Sequence, residues 1–130
     1  MNENLQRINS FIGVPYDHFS VFGFNCWSFV AAVYHELLHE NLIEFKLKSG
    51  SPREIASVFS AALATGEHQF KQVEEAKDLD LILFKNKKLH HVGIMIAGKV
   101  AHCDKALGGV VIQDFKEITK HYSEFTLWRK

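Results

Sequence analysis

Residues 90–103 read HHVGIMIAGKVAHC, and the fold turns on how this stretch pairs with itself. Val92, Ile94 and Ile96 alternate with His91, Gly93 and Met95, a period of two that belongs to a strand with one buried face. If Val92, Ile94 and Ile96 face the core, His90 goes with them, while His91, Gly93 and Met95 point the other way. A turn centred on Ala97-Gly98 sets His102 opposite Gly93 and leaves Ala101 and Cys103 on the core face. His91 and His102 then become diagonal neighbours, roughly 7–8 Å apart at the backbone, and Gly93 leaves room between their rings. Moving the turn to Gly98-Lys99 would separate them, so the register is the deciding variable.

Outward from this hairpin, the runs HQFKQV, DLILFK, GVVIQDF and EFTLWRK share the strand-like pattern and are separated by Asn-, Lys- and Gly-containing turns. The first half of the chain has the helical period instead. Leu5, Ile8 and Ile12 predict a helix over residues 2–12, ended by Gly13-Val14-Pro15. A second helix is expected from Cys26 to Asn41, with Asn25 as N-cap and Phe29, Val30, Val33 and Leu37 as its apolar stripe. Ser51-Pro52-Arg53-Glu54 is the start signal of a third, with Gly66 as its stop. Helices first and strands afterwards predict an α+β domain, with helices packed on an antiparallel sheet of five or six strands.

The 130 residues are 47% hydrophobic, which predicts one domain spanning 1–130. Lys+Arg and Asp+Glu both number 15, leaving no net field to attract nucleic acid or an anionic membrane. The opening MNENLQRINSFIGV lacks the basic and apolar regions of a signal peptide, and no run approaches the roughly 18 apolar residues of a membrane span. Synthesis in the cytoplasm is the expectation. Two widely separated cysteines make neither a disulfide framework nor a paired metal motif.

Chemistry centres on FNCWSFV, residues 24–30. Cys26 is either a small buried hydrophobe or a nucleophile held in the first turn of a helix, where unpaired N–H groups and the dipole lower a thiol pKa. A nucleophile needs a base and a group to orient that base. Among the histidines, His18, His35, His39, His68 and His121 lie in polar or loop surroundings, which leaves the hairpin pair. A metal site built from His90, His91, His102 and Cys103 is the competing reading, weakened because adjacent strand residues point to opposite faces. Cys103 is expected in the core.

Together, GVPY at residues 13–16, the N-C-W-x-F-V helix start, DLILF and HVGIMIAGKVAHC resemble the NlpC family of papain-like cysteine peptidases that cleave cell-wall peptides. The order is similar in particular to small phage-tail members. The resemblance implies Cys26 as nucleophile, His91 as base, His102 as the residue orienting it, and Tyr16 as a hydroxyl near the oxyanion; it gives Asp80 a structural role. Asn25, Trp27 and Ser28 flank the nucleophile where substrate would bind. The implied substrate is a peptidoglycan stem peptide, cut between D-glutamate and diaminopimelate or lysine, without a metal or organic cofactor. Three departures bear on the groove: Asn25 stands where aspartate is usual, Ser28 replaces a common glycine, and a Gly-Gly loop is reduced to Gly23. Two other classes share such a scaffold: a tail or assembly protein without hydrolysis, and a cysteine acyltransferase, amidase or deamidase-type effector. A wall hydrolase made in the cytoplasm would need a tail, secretion or lysis route to its substrate.

Overall fold

The computed structural model describes residues 3–17, 19–42, 57, 63, 70–85 and 90–130, with His90 described by its backbone alone. Helix α1 spans Glu3–Ile8 and passes into a 3-10 turn at Asn9–Phe11; α2 spans Cys26–Leu38. Strands β1 (Lys71–Val73), β2 (Leu81–Lys85), β3 (His90–Ile96), β4 (Lys99–Asp104) and β5 (Gly109–Asp114) follow, then the short helix α3 (Phe115–Thr119) and β6 (Glu124–Arg129). Apart from Ser57 and Leu63, the helix predicted from Ser51 to Gly66 lies outside the described residues; Leu63 is buried in the core.

The strands form one six-stranded sheet in the order β1-β6-β2-β3-β4-β5, antiparallel at every pairing. This is the expected α+β architecture. The β3–β4 register pairs Ile94 with Ala101 and Ile96 with Lys99, leaving Ala97-Gly98 as the two-residue turn. Each of those turn residues has positive φ, 52° and 75°, as a tight hairpin with right-handed strand twist requires.

Both faces of the sheet centre are covered. On one, α2 lays Trp27, Phe29, Val30, Val33 and Leu37 over Leu81, Leu83, Val92, Ile94, Ile96, Ala101 and Cys103. On the other, Ile82, Phe84, Met95, Val100 and Leu127 pack with Ile118 of α3. This second layer explains why LILF in β2 is buried at all four positions rather than alternating. Helix α2 ends before the predicted Asn41, because His39 takes a left-handed conformation and returns its N–H to the carbonyls of His35 and Tyr34. Tyr34 also donates its hydroxyl to the Leu79 carbonyl at 2.7 Å, tying the helix to the sheet. Asp80 is buried against Arg129, with both oxygens 2.7 Å from guanidinium nitrogens and one accepting the Lys77 N–H at 2.7 Å. That carboxylate joins β6 to the start of β2, the structural role expected of it. No helix among the described residues is long and apolar enough to cross a membrane.

Candidate active site

The start of α2 is built by its own sequence. Asn25 caps the helix through its side-chain oxygen, which accepts the Ser28 N–H at 2.8 Å, while Ser28 Oγ accepts the Asn25 N–H at 2.9 Å. Two of the departures from the resembled family therefore form one reciprocal capping box. Trp27, one position on, is buried in the core at 4% exposed. Ahead of the cap, Phe24 packs with Phe11 and Phe29 at ring separations of 6.0 and 6.1 Å. Gly23 backs directly onto the chain: a Cβ there would lie 2.0 Å from the Pro15 carbonyl oxygen, so the close approach admits only glycine.

Residues 13–17 are stitched between this loop and β5. Gly13 donates to the Val110 carbonyl, Tyr16 to Gly108, and Val110 back to Val14, at 2.9–3.1 Å. Phe24 donates to Pro15, and Asp17 to the Phe24 carbonyl. Tyr16 is thereby held beside the nucleophile region, and the proximity is felt electrostatically: burial pushes its phenol up to about 12, and negative charge at Cys26 adds to the shift. Asp17 turns inward on its own loop, its carboxylate accepting the N–H groups of Phe19, Val21 and Phe22 at 2.8–3.1 Å. The loop thus presents Phe19, Val21 and Phe22 to solvent.

Cys26 is 7% exposed. The helix start does offer the thiolate the N–H groups of Trp27 and Cys26, and Val92 in β3 offers a third, but burial outweighs all of them and pushes the thiol up to about 12. The sequence argument for a depressed pKa is overturned on this point, because loss of water costs the thiolate more than a helix terminus returns. Val92 is the residue after His91, so the sulfur sits against the strand segment that carries the histidine. Cys103 lies on the α2 side of the sheet, fully buried, its Sγ 3.1 Å from the Phe24 carbonyl.

His91 and His102 meet as the Ala97-Gly98 register requires. His91 Nε2 is 2.8 Å from His102 Nδ1, with the rings edge to face at 4.9 Å. A Cβ at Gly93 would lie 2.7 Å from Val100 and 3.2 Å from the His102 Cβ, so glycine keeps the space in which the rings meet. Burial lowers the pKa of both histidines, and the neighbouring His102 ring further disfavours a positive charge on His91. Thiol and imidazoles are therefore neutral at rest. The side chain of His90 is not among those described.

Three residues escaped the sequence reading. Gln113 of β5 sets Oε1 2.7 Å from His102 Nε2. Tyr122 lies parallel to the His91 ring, 5° between planes and 6.0 Å between centroids, and stacks on Phe84 at its other neighbour. Asp104 brings a carboxylate oxygen to 3.9 Å from His102 Nδ1. Only folding brings β5 and the α3–β6 connection to this place, and no local motif marks them. The donor atoms of His91, His102 and Asp104 lie within 4.8 Å of one another, a spacing that a cation could use; here the two rings bond to each other. Cys103 is not part of this group.

The buried rings predict an acid-sensitive fold. In the unfolded chain both histidines take up protons near pH 6.5, whereas the folded pKa values lie lower, so the unfolded state binds more protons in that window. Stability should be fully present above about pH 6.5 and fall as pH drops, at up to ~1.4 kcal/mol per pH unit for each ring. Urea unfolding between pH 7 and 5, above the range where carboxylates titrate, measures this directly. A flat profile there would contradict neutral, buried imidazoles. At the alkaline end the sign reverses: Cys26, held protonated up to about 12, adds stability that is lost as pH rises above about 9.

No family model matches the chain, and no curated protein does. Among solved structures it is similar to one described as the NlpC/p60 domain of peptidoglycan hydrolase SagA, with a TM-score of 0.57 and 19% sequence identity, over 95% of this chain and 94% of that one. At that identity the likeness is one of architecture: this chain has an NlpC/p60-like α+β fold.

Proposed function

We propose that the chain, acting as a single domain, is a cysteine peptidase that hydrolyses amide bonds in peptidoglycan stem peptides. The observation that carries this reading is the bonded pair His91–His102 on the sheet against which the Cys26 helix start is seated; the likeness to a domain of a peptidoglycan hydrolase supports the substrate class. Cys26 Sγ attacks the amide carbonyl carbon as its proton passes to the free Nδ1 of His91. The resulting oxyanion is met by the Cys26 N–H and the Tyr16 hydroxyl. His91 then gives the proton to the departing amine, the C–N bond breaks, and a thioester remains on Cys26. Water, deprotonated by His91, hydrolyses that ester and restores the thiol. A general base is indispensable here because burial keeps the thiol protonated. The route calls for no metal or organic cofactor.

The finer assignment is the bond between D-glutamate and diaminopimelate or lysine, in stems still attached to glycan. Asn25 is neutral and engaged in the helix cap, and the Asp17 carboxylate is engaged by three backbone N–H groups, so neither is free to pair with a terminal ammonium. Burying an unpaired ammonium costs several kcal/mol. Delivery to the wall by a tail, secretion or lysis route, with partners in that machinery, completes the proposal. A non-hydrolytic assembly role on the same fold is favoured by one feature, the exposed Phe19, Val21 and Phe22. Incubation with purified sacculi separates them: the peptidase releases muropeptide fragments cut within the stem, and absence of any released fragment from active-folded protein would defeat the hydrolytic reading. Preference for free tetrapeptide over disaccharide-linked tetrapeptide would defeat the finer one.

A further inference from the structure

His91, His102 and Gln113 lie on three successive strands, β3, β4 and β5, and on one face of the sheet. The β4–β5 register pairs Val100 with Gln113 and His102 with Val111, so Gln113 is the diagonal neighbour of His102, as His102 is of His91. A continuous row of hydrogen bonds results: His91 Nε2 to His102 Nδ1 at 2.8 Å, and His102 Nε2 to Gln113 Oε1 at 2.7 Å.

We propose that Gln113 is a positioning residue which sets the tautomer of His102, and through it that of His91, so that the nitrogen of His91 outside this row is left as a base. The inference rests on the reading of Cys26 and His91 as nucleophile and base. An amide oxygen only accepts, so His102 Nε2 carries its proton toward Gln113. A neutral imidazole has one N–H, which leaves His102 Nδ1 as an acceptor. His91 Nε2 must then donate to it, and His91 Nδ1 carries a lone pair. With the Gln113 amide reversed, its NH2 would face His102, every donor in the row would switch ends, and His91 Nδ1 would hold a proton and could accept none from a thiol. Asp104, 3.9 Å from His102 Nδ1, favours that second arrangement by attracting an N–H, so the Gln113 oxygen decides between two competing states. His102 is 1% exposed, so water does not substitute for the amide.

Nitrogen-15 NMR of the histidine rings reads the tautomers without substrate. The wild type should show His91 and His102 both protonated at Nε2, and a proton on His91 Nδ1 in the folded wild type would overturn the proposal at once. Gln113→Leu should mix the tautomers, slow iodoacetamide alkylation of Cys26 by about tenfold, and lower kcat with KM unchanged. Gln113→Glu, which keeps an acceptor oxygen in reach, should restore the wild-type tautomer and most of the alkylation rate. Unchanged tautomers and alkylation in folded Gln113→Leu would overturn the role; if that variant does not fold, the wild-type spectrum and Gln113→Glu decide it. Failure to digest sacculi with the wild-type tautomers intact would count against the peptidase reading alone.

Discussion

Cys26→Ala is expected to lower hydrolysis of stem peptides by roughly 10⁴-fold or more, the scale on which removal of a covalent nucleophile acts, with little change in folding. Without Sγ no thioester forms, and a neutral, buried His91 has no thiol to deprotonate; what remains is orientation and the oxyanion donors. Packing predicts only a small penalty, because a single sulfur is removed from a side chain that keeps 7% of its surface exposed. Cys103→Ala gives the contrast: its sulfur is fully enclosed and bonded to the Phe24 carbonyl, so it should cost about 1–2 kcal/mol in stability and leave the chemistry in place. Iodoacetamide followed by peptide mapping complements the kinetics. Preferential labelling of Cys103 in the folded protein would refute the assignment of the nucleophile.

The largest expected loss of stability follows from Phe29→Ala. Phe29 is fully buried and is the centre of an aromatic group, 5.9 Å from the Phe11 ring and 6.1 Å from that of Phe24. Truncation removes its transfer free energy and opens a cavity that the surrounding strands and helix close incompletely, which costs about 3–5 kcal/mol. The position couples to the site, because Phe24 immediately precedes the Asn25 cap and its carbonyl accepts from both Cys103 and Asp17. Phe22→Ala, at a side chain 88% exposed, serves as the control and should fall within about 0.5 kcal/mol of wild type. Urea midpoints for the two variants measure the difference; a Phe29→Ala variant as stable as the control would show that the aromatic group carries no such load.

Much of this was written in the chain. Alternation from Val92 to Ile96 determined which residues of β3 face α2, and the hairpin turn then determined that His91 and His102 share the other face, since side chains on a strand alternate strictly. The Asn25 and Ser28 pair determined where α2 begins, because the cap is made by residues three apart. These are local rules and need no partner to state. Tertiary structure decided what depends on distant segments and on exclusion of water. Gln113 joined the histidine row only through the β4–β5 register, and Tyr122 reached His91 only through the connection from α3 to β6. The protonation of the site was decided in the same way. A helix start read in isolation favours a thiolate at Cys26, whereas the assembled sheet and loops remove the water that would stabilise it, and desolvation scales with the whole enclosure rather than with any neighbour in sequence.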